Sequence, residues 1–168
     1  ANDNIYISPQ NELNAIPSII LSHIDNEEQL ARDEKQSFSE GIPMRYAEMI
    51  KVNFNTSNSG EWFRYNENYD VWKLNIISYD AIGLKLLFNQ FKLNENEIVY
   101  IYNENQDMII GPLTHKENHP DNTFGHKLLK GSSIYIEYFK PINTNNENQL
   151  QVSNVIHAYR DIHGYYET

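Results

Sequence analysis

Cysteine is absent from the 168 residues. That excludes a disulfide framework and a thiolate metal site. No apolar run reaches about 18 residues, so nothing reads as a membrane-spanning helix. Positive charge is scarce. Lys and Arg total 13 against 23 Asp and Glu, giving a net charge of -10 and a pI near 5.0. Phosphate binding needs clustered Lys and Arg, so nucleic acid is excluded as a partner, and anionic membrane surfaces with it. The balance suits a solvated, soluble, exported protein, or a basic partner. No signal peptide is recognisable in the chain as given, and Ala1 is compatible with a mature start. Lack of cysteine fits export and cytoplasm equally.

What is present reads as one globular domain. Apolar residues make up 40% and charged residues 21%, and the length allows one sizeable core. Tyr is abundant, with 12 residues beside 7 Phe and 2 Trp. Aromatics suit strands and cross-strand packing, and they also line sugar- and protein-binding surfaces.

Past residue 40 no helical period appears. Short β-type runs recur instead at Val71–Ile76, Leu84–Phe91, Ile98–Asn103, Met108–Leu113 and Ser133–Phe139, separated by Asn-rich polar turns. This spacing predicts an all-β fold, an antiparallel β-sandwich. Trp72, Leu74 and Ile76 fall on one face, with Lys73 and Asn75 on the other. Ile82, Leu84, Leu86 and Phe88 repeat at period two. In Ile98–Tyr102 and Ile134–Phe139 both faces are apolar or aromatic, which predicts central strands or a covered outer face. Leu150–Tyr159 reads as the closing strand.

The chain divides into an extension over 1–40, a sandwich domain over 41–160 and a tail or linker over 161–168. The extension looks extended and irregular to Ser22, with Ile16–Leu21 as a strand or a tether. A surface helix is predicted over Asn26–Ser39, with Asp25 as N-cap and Leu30 and Ala31 facing the body.

The ordered residues carry a resemblance. Arg45-Tyr46, Val52-Asn53 and Asn58–Trp62 lead into Val71–Ile76 and Phe88–Leu93. Then come Ile101–Asn103, Gly111–Leu113, Gly131 and Ile136–Pro141, and the set closes on Val155–Arg160, ending His-Ala-Tyr-Arg. Over roughly residues 40 to 161 this order resembles the region preceding the catalytic domain in secreted bacterial lysyl endopeptidase-like serine peptidases. The resemblance implies a secreted or periplasmic propeptide or N-terminal domain, which helps the cognate protease domain fold and holds it inactive. The family's Gly-Asp-Ser-Gly and Thr-Ala-His-His motifs are missing, so no catalytic residue carries over and a non-catalytic role is expected. Strand order also resembles jelly-roll or CUB-type sandwiches, in which a strand like Leu86-x-Phe88-x-x-Phe91 precedes an Ile-Tyr strand. That is a fold-level analogy.

A lysine-specific protease presents an acidic specificity pocket. Lys116 and Lys140 are the lysines that the resemblance offers to it, and Pro141 after Lys140 resists trypsin-like cleavage. The tail holds no lysine, so processing there needs Arg160, a residue beyond Thr168, or another protease. The competing reading is a stand-alone module binding a glycan or another protein through Tyr65, Tyr69, Tyr100, Tyr102, Tyr135 and Tyr138.

Other chemistry is thin. His115 and His119 lie in a loop and lack further zinc ligands. Ser132 and Ser133 do not form a nucleophile elbow. The turns at 94–97 and 103–107 offer oxygens to Ca²⁺ without EF-hand spacing, and solvated turns are the ordinary explanation. Asn55-Thr56-Ser57 matches a glycosylation sequon. No cofactor and no metal site is expected. Glu137 stands in an apolar strand: either it points to solvent or, if buried, it needs a partner, for which Arg160 and Arg45 are the candidates.

Overall fold

The computed structural model describes residues 4–22, 24–40, 46–144 and 149–160. Two β-sheets pack face to face as an antiparallel-rich sandwich. The first sheet orders β1 (Ser18–Ile20), β4 (Tyr69–Ile77), β10 (Ser133–Pro141), β6 (Ile98–Asn103) and β7 (Ile109–Leu113), with β3 (Glu61–Arg64) also pairing β4. The second orders β2 (Ala47–Asn55), β11 (Leu150–Ala158) and β5 (Gly83–Phe91). The far edge of β5 is shared by β8 (Phe124–Gly125) and β9 (Leu129–Lys130). Helix α1 runs over Asn26–Glu40.

Alternation sets the layers. Trp72, Leu74 and Ile76 point inward, where they meet Leu84, Leu86, Phe88, Val152 and Val155 of the second sheet. Each such side chain contributes about 1.5–3 kcal/mol on burial. The turn into β3 needs glycine at Gly60, whose φ is +68°. A Cβ there would sit 2.6 Å from Trp72 Nε1, which itself donates to the Ser59 carbonyl at 2.8 Å.

β10 and β6 are central, as their two apolar faces predict. β10 is buried along its length except at Pro141. Its outer face is covered by the chain's own N-terminal segment: Ile7, Leu13 and Ile16 pack on Val71, Tyr100, Tyr102, Tyr135 and Phe139. The sequence predicts an extended, irregular segment with a strand or a tether over Ile16–Leu21, and the strand is what forms. A 3-10 turn over Gln10–Ala15 precedes this short strand, β1. β1 pairs in parallel with β4, Ser18 opposite Asn75. β3 takes the rest of the same edge, Glu61 opposite Lys73.

The helix starts where foreseen. Asp25 Oδ1 accepts from the Glu28 amide at 3.1 Å. Its buried face differs from the expectation. Ala31 is exposed and Leu30 half-buried, whereas Asp33 is buried and accepts a hydrogen bond from Tyr159. The helix is joined to the sandwich through polar side chains, which the apolar pattern cannot reveal. Asn26 donates to the Asp80 carbonyl at 2.6 Å, so its amide oxygen faces His157 Nε2 at 2.8 Å. His157 Nδ1 in turn meets the Ser78 hydroxyl at 2.6 Å. The set superficially resembles a catalytic triad. Ser78 and His157 are both fully enclosed and line neither of the two clefts described below, so we assign it to helix docking.

Candidate functional site

Lys116 sits on a short 3-10 turn, His115–Glu117. The turn is tied at both ends. Glu117 accepts from the Thr114 amide at 2.6 Å, and Thr114 Oγ1 accepts from the Lys116 amide at 3.3 Å, a reciprocal cap. The Asn118 side chain then clamps the backbone of Leu93, accepting from its amide at 2.9 Å and donating to its carbonyl at 2.8 Å. Lys116 is exposed. A long cation thus projects from a backbone fixed on two sides.

Lys140 is placed differently from the expectation. It is only 6% exposed, because it lies on the inner face of β10 opposite Asp70 of β4. It cannot enter a partner's pocket without leaving the sandwich. Sequence alone suggested a loop lysine because Pro141 and an Asn-rich turn follow it, yet β10 runs through to Pro141.

The tyrosines require the same correction. Tyr100, Tyr102, Tyr135 and Tyr138 are buried. Tyr102 and Tyr135 stack with ring centroids 5.2 Å apart. The first three lie under the N-terminal segment, and Tyr138 faces the inter-sheet core. Burial is the main cause that raises the pKa of each. Tyr69 is half-buried and donates to the Asn96 carbonyl at 3.1 Å. Tyr65 keeps an exposed edge but is engaged with the N-terminal segment, donating to Asn4 O and accepting from the Tyr6 amide, each at 3.2 Å.

Glu137 is 1% exposed, and its partners are not the arginines foreseen. Arg160 ends the opposite sheet and Arg45 lies outside the described residues, as does the tail over 161–168. Register places Glu137 on the outer face between Lys73 and Tyr100. Its carboxylate accepts from the Ser8 amide at 3.0 Å, from Ser8 Oγ at 3.2 Å, and from the Tyr102 hydroxyl. Lys73 Nζ stands 3.9 Å away and donates to Ser8 Oγ at 2.6 Å. Gln106 Nε2 adds a bond to the Ser8 carbonyl at 2.7 Å. The Ser8 hydroxyl is held between cation and carboxylate and is itself buried. It therefore serves as a fastener for the N-terminal segment.

Among the described residues, clefts open at two places on the first sheet. The larger, about 720 Å³, lies between the N-terminal segment and β3–β4, and includes Ile7, Ser8, Phe63 and Lys73. Its cations are internally matched, Lys73 with Glu137 and Arg64 with Asp70 at 2.8 Å. The smaller, about 340 Å³, is lined by Trp62, Tyr138, Asp70 and Lys140, and by residues of the turns that follow β2 and β10. Sequence reasoning missed it, because Trp62 and Lys140 meet only through the pairing of β3, β4 and β10. The sequon residue Asn55 shapes its rim: Asn55 Oδ1 accepts from the Ser57 and Asn58 amides at 2.9 Å and 3.1 Å. Among the described residues no group of three His, Asp or Glu side chains is placed to hold a metal ion.

These features define a β-sandwich with a rigid exposed lysine turn and a polar cleft. Comparison of the chain with protein-family models, curated proteins and solved structures finds no match.

Proposed function

We propose that this is a non-catalytic binding domain, the propeptide or N-terminal domain of a secreted lysyl endopeptidase-like serine peptidase, acting as folding aid and inhibitor within one chain. The ordered sequence resemblance over roughly residues 40 to 161 supports the reading, and the observation that carries it is the Lys116 turn. An acidic specificity pocket recognises an ammonium at the end of a long stem. Lys116 offers one on a backbone held by Thr114, Glu117 and Asn118. Little ordering entropy is then lost on docking. A protease cleaves substrate held in extended form, and the helical turn keeps the Lys116 peptide out of that form. The lysine thus fills the pocket without being cut. Covalent linkage to the protease makes even a modest interface fully occupied. A secreted or periplasmic location goes with this role.

The test is addition of the purified domain to a lysyl endopeptidase. Saturable inhibition without cleavage after Lys116 is expected. Lys116→Ala should weaken it about 30-fold or more, since truncating one partner of a buried charge pair costs 2–5 kcal/mol. Absence of inhibition at micromolar domain, or rapid cutting at Lys116, would defeat the proposal. Equal inhibition by Lys116→Ala would remove Lys116 from it.

A further inference from the structure

We propose that the open outer face of the second sheet is the surface on which the protease domain seats, and that the protease surface covering it is apolar at its centre and acidic at its rim. The inference rests on the protease reading and deepens it: Lys116 fills one pocket, and this face supplies the wider contact.

The fold treats its two outer faces differently. On the first sheet the chain's own Ile7, Leu13 and Ile16 lie over the strands. On the second sheet Met49 remains 61% exposed, and Lys51 and Gly125 are exposed with it. Register builds this face in rows. Met49 lies opposite Ile156, and Ile156 opposite Lys85. The next row is Lys51, Asn154, Leu87 and Gly125. Gly125 adds no side chain over Leu87: a Cβ there would stand 3.2 Å from Leu87 Cδ2. Met49, Ile156 and Leu87 thus form an apolar diagonal on a face that is ordinarily polar in an open antiparallel sheet.

Charge sets the face apart. The chain holds 23 Asp and Glu, yet the strands of this sheet contain one, Glu48. Glu48 lies opposite His157 and so belongs to the inner side, where Arg32 of helix α1 stands 3.6 Å away. The outer side carries Lys51 and Lys85. Register adds Lys130, opposite Gly83 in the adjacent row. Among the described residues none of these three ammonium groups has a hydrogen-bond or ion-pair partner. In a protein of net charge -10 this one face is cationic.

Protein interfaces favour apolar side chains and Met at the core and polar groups at the rim. Met49, Ile156 and Leu87 supply the core, and the unpaired lysines surround it. The complementary surface is therefore apolar with carboxylates around it. The lysine turn leads to the same sheet. Asn118 ties it to Leu93, two residues past β5. The Asn122 carbonyl then accepts from the Phe91 amide at 2.7 Å before the chain enters β8. A partner that takes Lys116 into an acidic pocket is brought to the edge of the sheet that bears this face.

The test is the kinetics of inhibition of a lysyl endopeptidase by the full chain. Wild-type association should slow as NaCl rises from about 0.05 to 0.5 M. The double variant Lys51→Glu/Lys85→Glu, with its Tm within about 3 °C of wild type, should associate about tenfold more slowly. Met49→Ser changes no charge and replaces an exposed side chain. It should dissociate about fivefold faster. No inhibition by the wild type defeats the protease reading, and this inference with it. Wild-type association by the folded double variant overturns the inference and leaves the protease reading standing. Wild-type dissociation of Met49→Ser does the same, since nothing would then be seated on the face.

Discussion

Glu137→Gln should destabilise the protein by about 3 kcal/mol and lower its Tm by about 6–12 °C, with the damage centred on residues 5–16. The carboxylate is the shared acceptor for the Ser8 amide, the Ser8 hydroxyl and the Tyr102 hydroxyl. Its charge also balances Lys73. Gln keeps the shape but has a single acceptor oxygen, and it brings two N–H donors into a site already rich in donors. At least one buried donor is then unpaired, which costs more than the mean value of a hydrogen bond. Lys73 is partly exposed, at 18%, so its charge recovers some hydration, and we place the cost below that of a fully enclosed pair. The local signature is amide hydrogen exchange at Ser8, which should accelerate far more than that of Leu86 in β5. Tyr102→Phe should cost about 1–2 kcal/mol and, combined with Glu137→Gln, should add less than the sum. Unchanged melting in Glu137→Gln, or uniform acceleration across both sheets, would show that the cluster does not fasten the segment.

The period-two runs were legible because burial repeats at the same interval as the pleat. Trp72, Leu74 and Ile76 were placed inside by their spacing alone, and the two-faced apolarity of Ile134–Phe139 already required something to cover the outer surface. Of its cover only the end is legible, as the strand or tether over Ile16–Leu21. Ile5, Ile7, Leu13 and Ile16 show no strand or helix period, and they pack by a long-range parallel pairing through β1. Two consequences of that one omission run through the site. Tyr100, Tyr102 and Tyr135 looked available for binding because nothing local hides them. Glu137 was given a distant arginine, although Lys73 on the same face was its cross-strand neighbour. Lys116 needed no tertiary information, since a polar loop between strands is exposed by default. The Trp62 cleft lies at the opposite extreme. Its walls come from three paired strands and two turns, so only the register brings its groups together.

Acidification from pH 7 to pH 4 should remove about 3 kcal/mol of stability through His126 alone. This side chain links the β8–β9 connection to β5. Its Nε2 accepts from the Leu86 amide at 3.0 Å, and Nδ1 lies 2.7 Å from the Lys127 carbonyl. The Leu86 amide can only donate, so Nε2 keeps its lone pair and Nδ1 carries the proton. The neutral ring is thus fully satisfied. A second proton would have to enter at Nε2, against an N–H already pointing there. Burial depresses the imidazole pKa from 6.5 to about 4, opposed by the bond to Lys127 and assisted by nearby Lys85. The unfolded chain therefore binds the extra proton between those two values while the folded protein does not. Stability is full above pH 6.5, falls as the pH drops below it, and levels off below about pH 4. Over that interval the linkage amounts to about 3 kcal/mol. His126→Gln isolates the effect, because its amide oxygen can still accept from Leu86 while the group no longer titrates. Urea unfolding of both proteins at pH 7 and pH 4.5 gives the comparison. The variant should be the less stable at pH 7, and the gap should close or reverse at pH 4.5. A gap that is the same at both pH values would mean that His126 takes up its proton in the folded protein as readily as in the unfolded chain.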